Sequence, residues 1–541
     1  MALAGSQNLS TNHLRGVEAA LARRDMAVAM RLSDEAVIAG AEHPTLLSLA
    51  GLKRMSGGDN ERALPLLLRA RELSPRHVGT LDALGQCLTR LERAREALAV
   101  FDAALTIAPD ARLHFNKAMA LEELSELDAA RVEFERAVAR KPDHAEALGR
   151  LALLAAQRGD AGAARSFARR CLTLAPHDPV AHIALAMAAL EQKAYAAAEA
   201  EVQTLLHIPN LSPVNAAFAN SLAGDILDAQ DRPAEAFAAY AAAKSGLRAA
   251  YAPVMARLAE TMPARERRLA DYFRAAAPEA WRGSKEPGSR THVFLVGFPR
   301  SGTTLLEQVL ASHGQVEAME ERACLVDSAR EFFGASTGLD RLAALDDVAL
   351  EPWRQAYWAR VKESCAAAAK PVFLDKLPLN LVFLPLIAKL FPAAKILLAL
   401  RDPRDVVLSC FRRRFAMNAG MYEVTALDST AAYYAAAMDL MQVYREKLAR
   451  DIFETRHESL LGDFDGETRR LCDFLGLDFS DGMKGFAKRA RAQNIDTPSS
   501  AQVARGLSIA GAGQWRRYRT QLEPVLPVLA PFVARFGYPE T

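Results

Sequence analysis

Residues Val293-Phe-Leu-Val-Gly-Phe-Pro-Arg-Ser-Gly-Thr-Thr-Leu305 decide the fold of the C-terminal half of this chain. An apolar run typical of a buried strand leads into a loop with glycines at 297 and 302, and residues that favour a helix follow. Glycines at this spacing let the loop curl so that successive N–H groups point at one anion, and the helix adds the positive end of its dipole. The stretch therefore predicts a strand, a phosphate-binding loop and a helix.

The loop differs from that of the common ATP- and GTP-hydrolysing proteins. Their motif has Lys directly after the second Gly, whereas this chain has Thr303 there and places its cation, Arg300, inside the loop. The donors suited to an oxyanion are Arg300, Ser301, Gly302, Thr303 and Thr304. The alternative is a tight strand-to-helix turn with polar cap residues, but the sequence is more specific than a turn requires. The pattern argues against ordinary nucleotide hydrolysis.

A second strand-to-helix turn carries another set of cations. The run Lys395-Ile-Leu-Leu-Ala-Leu predicts a strand that ends at Arg401. Ser409 follows in a predicted helix, and Arg413 lies four residues later, so the two are expected to share a helix face. The alternative is a solvated basic helix start whose acids and arginines pair with one another. Together with the first loop, the turn predicts a second anion site.

Length and composition bound the classes of protein to consider. A chain of 541 residues is too long for one hydrophobic core, so two or more domains are expected. With 51% hydrophobic and 24% charged residues, the composition is that of a globular protein. The net charge of +2 provides no general attraction to nucleic acid or to a membrane surface, so any basic site must be local.

Cysteine usage and the N-terminus predict a cytoplasmic protein. The six cysteines are scattered, with no Cys-x-x-Cys pair and no metal-ligand spacing, so a reduced compartment is expected. The N-terminus has no charged region followed by an apolar core, and no window of about 18 apolar residues occurs. We expect no secretory signal, no membrane span and no metal site.

The N-terminal half repeats itself. Prolines at 44, 75, 109, 142 and 176 are spaced by 31, 34, 33 and 34 residues in a sequence of helical periodicity. Small residues recur in a first helix and again twelve positions later: Gly51, Gly85, Ala118, Ala152 and Ala186, then Ala63, Ala97, Ala130, Ala164 and Ala198. The pattern resembles the tetratricopeptide repeat (TPR), and a weaker copy covers residues 222–245. Such an array either holds a peptide, a protein partner or another copy of the chain in its groove, or serves as a scaffold.

A change of periodicity predicts the domain boundaries. We expect a repeat array over residues 14–245, a helical linker over 246–290 and a second domain over 291–541. In that domain, β-type runs at 293–296, 372–374, 395–400 and 452–455 alternate with helical stretches. Such alternation is typical of a parallel sheet flanked by helices.

The second half, over about residues 291–525, resembles sulfotransferases that use 3′-phosphoadenosine 5′-phosphosulfate (PAPS), most of all the protein-tyrosine sulfotransferase branch. The resemblance implies an α/β domain with a P-loop-like parallel sheet, the sulfotransferase fold, after the all-α solenoid. It implies that Arg300, Ser301, Gly302, Thr303 and Thr304 hold the 5′-phosphosulfate. It also implies that Arg401, Ser409 and Arg413 hold the 3′-phosphate, which explains two anion sites in one domain.

The same resemblance implies the catalytic residues. Counting from Arg300, the base of the family falls on Glu321, with Glu320 as the competing register. Lys376, at the end of a predicted strand, matches the family's Lys that stabilises charge on the bridging oxygen of the leaving phosphate, and Arg300 assists it. The family needs no metal for this transfer.

A C-terminal stretch over residues 497–518 resembles the loop that closes over the donor, and Ser499 and Arg505 are its implied binding residues. The chain departs from the family twice. Gln514 stands where a basic residue usually precedes the Trp, so Arg505, Arg516 or Arg517 would supply that charge. His457 stands where tyrosine-protein sulfotransferases have a nucleotide-contacting Tyr, and its alternative role is that of a neutral surface residue.

The leading hypothesis is a PAPS-dependent sulfotransferase with a TPR array that binds a partner or the acceptor. The acceptor stays open among protein tyrosine, a saccharide, a lipid and a small molecule, and so does the oligomeric state. One alternative is a TPR interaction protein with a regulatory or inactive nucleotide-binding domain. Another is a phosphoryl-transfer enzyme of the P-loop type, which Thr303 disfavours.

Overall fold

A computed structural model describes residues 13–283, 290–334, 337–365, 370–448, 451–492, 503 and 506–540. The chain forms two compact units, residues 1–211 and residues 212–541. The predicted boundary at residue 245 marks the end of the repeat pattern in the sequence. The division between the compact units comes earlier in the chain.

The first unit consists of helices in which each packs on the next in the chain. They are α1 (residues 13–22), α2 (Met26–Ile38), α3 (Pro44–Ser56), α4 (Asn60–Leu73), α5 (Val78–Arg90), α6 (Ala94–Ile107), α7 (Ala111–Glu123), α8 (Leu127–Arg140), α9 (Ala145–Gln157), α10 (Ala161–Leu174), α11 (Pro179–Glu191) and α12 (Tyr195–Leu206). The predicted prolines at 75, 109, 142 and 176 each lie two residues beyond a helix end, where Pro stops a helix. Pro44 instead begins α3.

The small residues of the repeat let paired helices touch, as the sequence predicts. A Cβ atom on Gly85 would lie 2.5 Å from the ring of Phe101, and one on Gly51 would lie 2.8 Å from Leu67. The second-helix alanines of the pattern, including Ala97 and Ala130, are fully buried. The helical TPR solenoid is confirmed.

The second unit begins with helices rather than with the sheet. Helices α13 (Pro213–Ala229) and α14 (Pro233–Met255) form a hairpin, and α15 (Met262–Ala275) follows. Gly224 meets the ring of Tyr240, with a Cβ distance of 2.5 Å, as glycines do in the repeats. The predicted weaker repeat copy therefore has the repeat's helix contact, although it belongs to the second unit.

A five-stranded parallel sheet forms the centre of this unit, in the order β2-β3-β1-β4-β5. The strands are β1 (Thr291–Gly297), β2 (Val316–Glu320), β3 (Val372–Lys376), β4 (Lys395–Leu400) and β5 (Ile452–Arg456). Residues of β1 alternate between two cores, since Phe294 and Val296 pack in one cluster and Val293 and Leu295 in the other. Four strands match the predicted runs. The sequence did not predict β2, because Glu317 and Glu320 interrupt the apolar pattern of this short strand.

Helices cover the sheet and complete the unit. They are α16 (Thr303–Ala311), α17 (Val326–Phe333), α18 (Gly338–Ala344), α19 (Asp347–Ser364), α20 (Leu384–Leu390), α21 (Pro403–Arg412), α22 (Ala419–Glu423), α23 (Leu427–Lys447), α24 (His457–Gly462), α25 (Phe464–Leu475), α26 (Phe486–Ala492), α27 (Arg519–Leu522) and α28 (Leu526–Arg535). Because all five strands are parallel, their carboxyl ends meet at one edge, the usual location of ligand sites in α/β sheets. No helix in the described ranges is long and apolar enough to span a membrane.

Candidate functional site

The loop between β1 and α16 has the geometry of an anion cradle. Gly297 approaches β4 so closely that a Cβ atom would lie 2.8 Å from the carbonyl oxygen of Ala399. Gly302 has φ +95°, and Arg300 has φ +73°, a left-handed conformation that is rare for residues other than Gly. Such strain is found where function requires a fixed backbone. Ser301 and Thr303 are buried beside the start of α16.

Three arginines of the two predicted anion sites meet at this edge of the sheet. The Nε of Arg300 donates a hydrogen bond of 2.9 Å to Ser409 Oγ, and Arg401 Nη1 donates one of 3.2 Å to the carbonyl oxygen of Arg300. Helix α21 ends at Arg412, so Arg413 is the first residue beyond it and not on its face as predicted. Burial and the nearby charges of Arg413 and Arg401 lower the pKa of Arg300. A guanidinium nevertheless remains charged at neutral pH.

One cavity of about 430 Å³ joins these groups. Among its lining residues are Arg300, Gly302, Arg401, Ser409 and Arg413. Its size lies in the range typical of small-molecule and cofactor sites. Residues of the two predicted anion sites, about a hundred positions apart in the sequence, therefore line a single pocket.

Two buried polar atoms at this cavity have no hydrogen-bond partner among the described residues, namely Arg401 Nε and His457 Nδ1. Buried polar atoms are nearly always paired, so these two point to a polar ligand. His457 is the first residue of α24, after β5, and a Cβ atom on Gly302 would lie 2.7 Å from its Nδ1. Burial and the charges of Arg401 and Arg300 lower the pKa of His457 to about 3, so the ring is neutral at neutral pH. The residue is partly buried and lines the cavity.

A second cluster forms where β2 and β3 end. Lys376 is fully buried, and its Nζ lies 2.8 Å from Glu321, 3.1 Å from Glu307 and 3.7 Å from Glu320. Burial alone would lower the pKa of Lys376, but attraction to Glu307, Glu321 and Glu320 outweighs it and raises that pKa. Burial raises the pKa of Glu307, an effect that Lys376 opposes. The ammonium therefore stays charged beside its carboxylates.

Glu321 is held in a strained backbone conformation. Its φ is +32°, and its N–H donates a hydrogen bond of 2.8 Å to the carbonyl oxygen of Lys376, which fixes the residue after β2 to the end of β3. The neighbouring Glu320 pairs in register with Lys376. The two carboxylates are 39% and 31% exposed, so both have access to solvent. The choice between them as base stays a prediction in favour of Glu321.

The C-terminal residues are bound to the turn that follows β4. The N–H groups of Gly513 and Trp515 donate hydrogen bonds of 2.6 and 2.8 Å to the Asp405 carboxylate. Arg401 Nη2 donates one of 2.5 Å to the carbonyl oxygen of Gly511. The segment formed by residues 506–518, here called the C-terminal segment, thus covers the cavity. The predicted binding residues Ser499 and Arg505 lie outside the described residues.

Arg517 is the candidate to supply the charge of the basic residue that is missing at Gln514. Arg517 and Gln514 both line the cavity. Arg516 is exposed and packs beside the Trp515 ring, with its guanidinium carbon 5.1 Å from the ring centre. Of the predicted substitutes within the described residues, Arg517 is therefore the one at the site.

Sequence reasoning missed Glu307, Asp228 and Arg412. Glu307 had a signal, because it is a lone acid within the apolar run Leu305-Leu-Glu-Gln-Val-Leu310 of α16. A charged residue buried in such a run needs a partner, and here the partner is Lys376. Asp228 and Arg412 had no such signal, since nothing in the sequence indicates that α13 contacts the end of α21.

Comparison with known proteins agrees with this geometry. Residues 292–481 match the model of the Sulfotransferase family, and residues 49–112 and 115–179 match a model of the Tetratricopeptide repeat. Protein-tyrosine sulfotransferase 1 of Danio rerio is 25% identical over 259 residues, which cover 46% of this chain and 72% of that protein. Its human namesake is also 25% identical, over 46% of this chain and 69% of that protein.

Two further similarities were found. An uncharacterized protein of Aquifex aeolicus is 27% identical over 50% of this chain, and the match spans only 36% of that protein. A crystal structure of a tetratricopeptide repeat protein from Parabacteroides merdae matches 44% of this chain and 93% of that chain, with 17% identity and a TM-score of 0.35.

The family match over residues 292–481 includes both the loop after β1 and the cationic turn after β4. The second half of the chain thus matches the Sulfotransferase family over residues 292–481, the first half matches the tetratricopeptide repeat, and the chain is similar, at low identity, to protein-tyrosine sulfotransferases.

Proposed function

We propose that this chain is a sulfotransferase that moves the sulfuryl group of PAPS to a hydroxyl acceptor. One observation carries the proposal: Arg300 of the first loop and Ser409 of α21 are hydrogen-bonded at 2.9 Å inside one cavity, with Arg401 and Arg413 beside them. A ligand with anionic groups at both ends of a nucleotide fits such a pair of sites. The first loop would take the 5′-phosphosulfate, and Arg401, Ser409 and Arg413 the 3′-phosphate.

The reaction requires positioning and charge stabilisation. The donor supplies the sulfuryl group as an anhydride of phosphate and sulfate. The acceptor oxygen forms a bond to sulfur while the bond from sulfur to the bridging oxygen breaks, and the electron pair stays on the leaving phosphate. Glu321 takes the acceptor proton, and Lys376 and Arg300 stabilise the charge on the leaving group. Fixed cations in a buried site supply this stabilisation without reorganisation.

The acceptor is a hydroxyl compound, and protein tyrosine is the candidate that the relatives' names favour. A saccharide, a lipid or a small molecule is consistent with the same chemistry. We propose that the TPR array binds a protein or peptide, either as a partner or as the acceptor, since stacked repeats form extended concave surfaces.

Nucleotide preference tests the proposal. Isothermal titration of the full chain would compare 3′-phosphoadenosine 5′-phosphate (PAP), Mg-ATP and PAPS. We expect PAP and PAPS to bind and Mg-ATP to bind at least about tenfold more weakly, because it lacks the 3′-phosphate. Preference for Mg-ATP would favour a phosphoryl-transfer enzyme. Absence of binding by all three would favour an interaction protein whose nucleotide domain is inactive.

A further inference from the structure

An acidic side chain from the helical hairpin α13–α14 lines the otherwise cationic cavity. Asp228 lies near the end of α13, with a side chain that is 16% exposed. Among the described residues, the lining includes five arginines and two residues with carboxylates, Asp228 and Asp405. An acid in an anion site repels the ligand unless cations of the protein hold it. Its presence therefore needs a structural reason.

Asp228 binds two arginines and one tyrosine. One carboxylate oxygen forms a short ion pair with Arg412. The other lies 3.0 Å from Arg517 Nη1 and accepts a hydrogen bond of 2.5 Å from the Tyr518 hydroxyl. The backbone carbonyl oxygen of Asp228 accepts another, of 3.3 Å, from Arg517 Nη2. Bidentate and charge-assisted contacts of this kind fix geometry as well as adding stability.

These partners belong to two of the elements that line the cavity. Arg412 is the last residue of α21, the helix that carries Ser409, and Arg517 and Tyr518 belong to the C-terminal segment. One carboxylate therefore connects three elements. The same arrangement places the cations of Arg412 and Arg517 at fixed positions on the cavity wall.

Further contacts of the hairpin support the end of α21. Lys244 is buried in α14, and its Nζ donates hydrogen bonds of 2.6 Å to the carbonyl oxygen of Arg413 and 3.4 Å to that of Cys410. A Lys at this position satisfies carbonyl groups that a helix end leaves unpaired. The ring of Phe237 stacks on Phe411 at 5.1 Å between centres. The hairpin thus packs directly against the residues proposed for the 3′-phosphate.

The geometry points to Asp228 as a positioning residue for donor binding, through which the hairpin α13–α14 is an integral part of the nucleotide site. Its carboxylate holds Arg412 and Arg517 so that the C-terminal segment and the end of α21 keep the arrangement that binds the donor. This inference rests on the proposed function. It assigns a role to a helical hairpin that resembles a repeat.

The test uses the full chain with Asp228→Asn, and with Asp231→Asn as the matched control. Asp231 also contacts Arg517, at 2.8 Å, but its side chain is 86% exposed. We expect Asp228→Asn to weaken PAP binding by about tenfold or more in titration calorimetry, and Asp231→Asn by less than about threefold. Unchanged or tighter binding in Asp228→Asn would overturn the inference, because the carboxylate would then only oppose the ligand.

Two further variants identify the route. If Asp228 acts through Arg517, the double variant Asp228→Asn with Arg517→Ala should bind PAP about as weakly as Arg517→Ala alone. If the loss of PAP affinity in the double variant equals the product of the two single losses, Asp228 does not act through Arg517. Tyr518→Phe removes one hydrogen bond without a change of charge, and we expect it to weaken PAP binding by about two- to fivefold. Tyr518→Phe replaces Asp228→Asn in the test if that variant does not fold. Unchanged PAP affinity in Tyr518→Phe would then count against the inference.

A readout without ligand separates this inference from the proposed function. Hydrogen exchange at the amides of Gly513 and Trp515 reports whether the C-terminal segment is held. We expect faster exchange in Asp228→Asn than in the wild type and in Asp231→Asn. If the wild type binds no PAP, the proposed function fails. If exchange is unchanged, the positioning role fails whatever the nucleotide result.

Discussion

At the scale of single residues, the cluster at the ends of β2 and β3 joins one buried ammonium to three carboxylates. Lys376 contacts Glu307, Glu320 and Glu321, of which Glu307 is buried and the other two are partly exposed. The partly exposed pair has access to solvent, while Glu307 is a buried counter-charge for Lys376. The three carboxylates are chemically identical, but their different burial predicts different roles for them.

The first prediction distinguishes the base. Glu321→Gln should lower kcat by about 10²- to 10⁴-fold, because an amide cannot accept the acceptor proton, and should change PAP affinity by less than about threefold. The matched variant Glu320→Gln should lower kcat by less than about tenfold. Both are measured with the acceptor that the wild type uses fastest from a panel of a tyrosine peptide, a saccharide and a phenol. A larger loss in Glu320→Gln would assign the base to Glu320.

The second prediction concerns the buried pair of Lys376 and Glu307. Lys376→Met leaves the Glu307 carboxylate buried without its cation, so the free energy of unfolding at neutral pH should fall by about 3 to 5 kcal/mol. All four tryptophans (Trp281, Trp353, Trp358 and Trp515) lie in the second unit, so their fluorescence during urea unfolding reports on this unit alone.

The pH dependence of this loss has a definite sign. Burial raises the pKa of Glu307 in the folded protein, and removal of Lys376 should raise it further. The pKa of a Glu in the unfolded chain is lower, about 4.3. A group of this kind stabilises the fold below its unfolded pKa and loses that contribution as pH rises through the folded pKa. The loss of unfolding free energy in Lys376→Met should therefore be smaller at pH 5 than at pH 7.5. Adding Glu307→Gln to Lys376→Met should restore part of the lost stability. An equal deficit at both pH values without rescue would refute the pairing.

At the scale of elements, the loop after β1 depends on a left-handed glycine. Gly302 has φ +95°, and a Cβ atom there would approach His457 Nδ1 at 2.7 Å. The third prediction is that Gly302→Ala lowers the free energy of unfolding by about 1 to 3 kcal/mol and weakens PAP binding by more than about tenfold. Gly314→Ala is the control, because no atom lies within 4 Å of its Cβ position. Equal PAP affinity in the two variants would show that the loop geometry is not needed.

How far the sequence predicts the elements depends on how local their signals are. Strands β1, β3, β4 and β5 were predicted because buried parallel strands are continuous apolar runs. Strand β2 was not, because Glu317 and Glu320 alternate with small or apolar residues at the edge of the sheet. The hydrogen bonds from Gly513 and Trp515 to Asp405 join residues about a hundred positions apart, and no local pattern encodes such pairs.

The candidate site divides in the same way. The strand-end residues Arg300, Lys376 and Arg401 could be predicted, since parallel strands bring their carboxyl ends to one edge. Their distances could not, and neither could the burial of His457, because these depend on packing between distant segments. Arg413 was expected on the face of α21 and lies one residue beyond it, because a local spacing rule does not show where a helix ends.

At the scale of the whole molecule, the chain forms two compact units that meet in sequence at residues 211 and 212. The fourth prediction is that a fragment of residues 212–541 folds and binds PAP within about threefold of the full chain, because it keeps the hairpin α13–α14. A fragment of residues 246–541 lacks Asp228 and Lys244 and should bind at least about tenfold more weakly, or fail to fold. Equal binding by both fragments would contradict a hairpin that is integral to the site.

The central claim is that one cavity binds a nucleotide through anionic groups at both of its ends. The most direct test is isothermal titration of the wild type and Arg401→Ala with PAP and with adenosine 5′-phosphate, using Arg535→Ala, an exposed Arg at the end of α28, as the control. We predict that the wild type and Arg535→Ala prefer PAP by about 100-fold or more and that Arg401→Ala loses most of this preference. Equal affinity of the wild type for the two nucleotides would contradict the account.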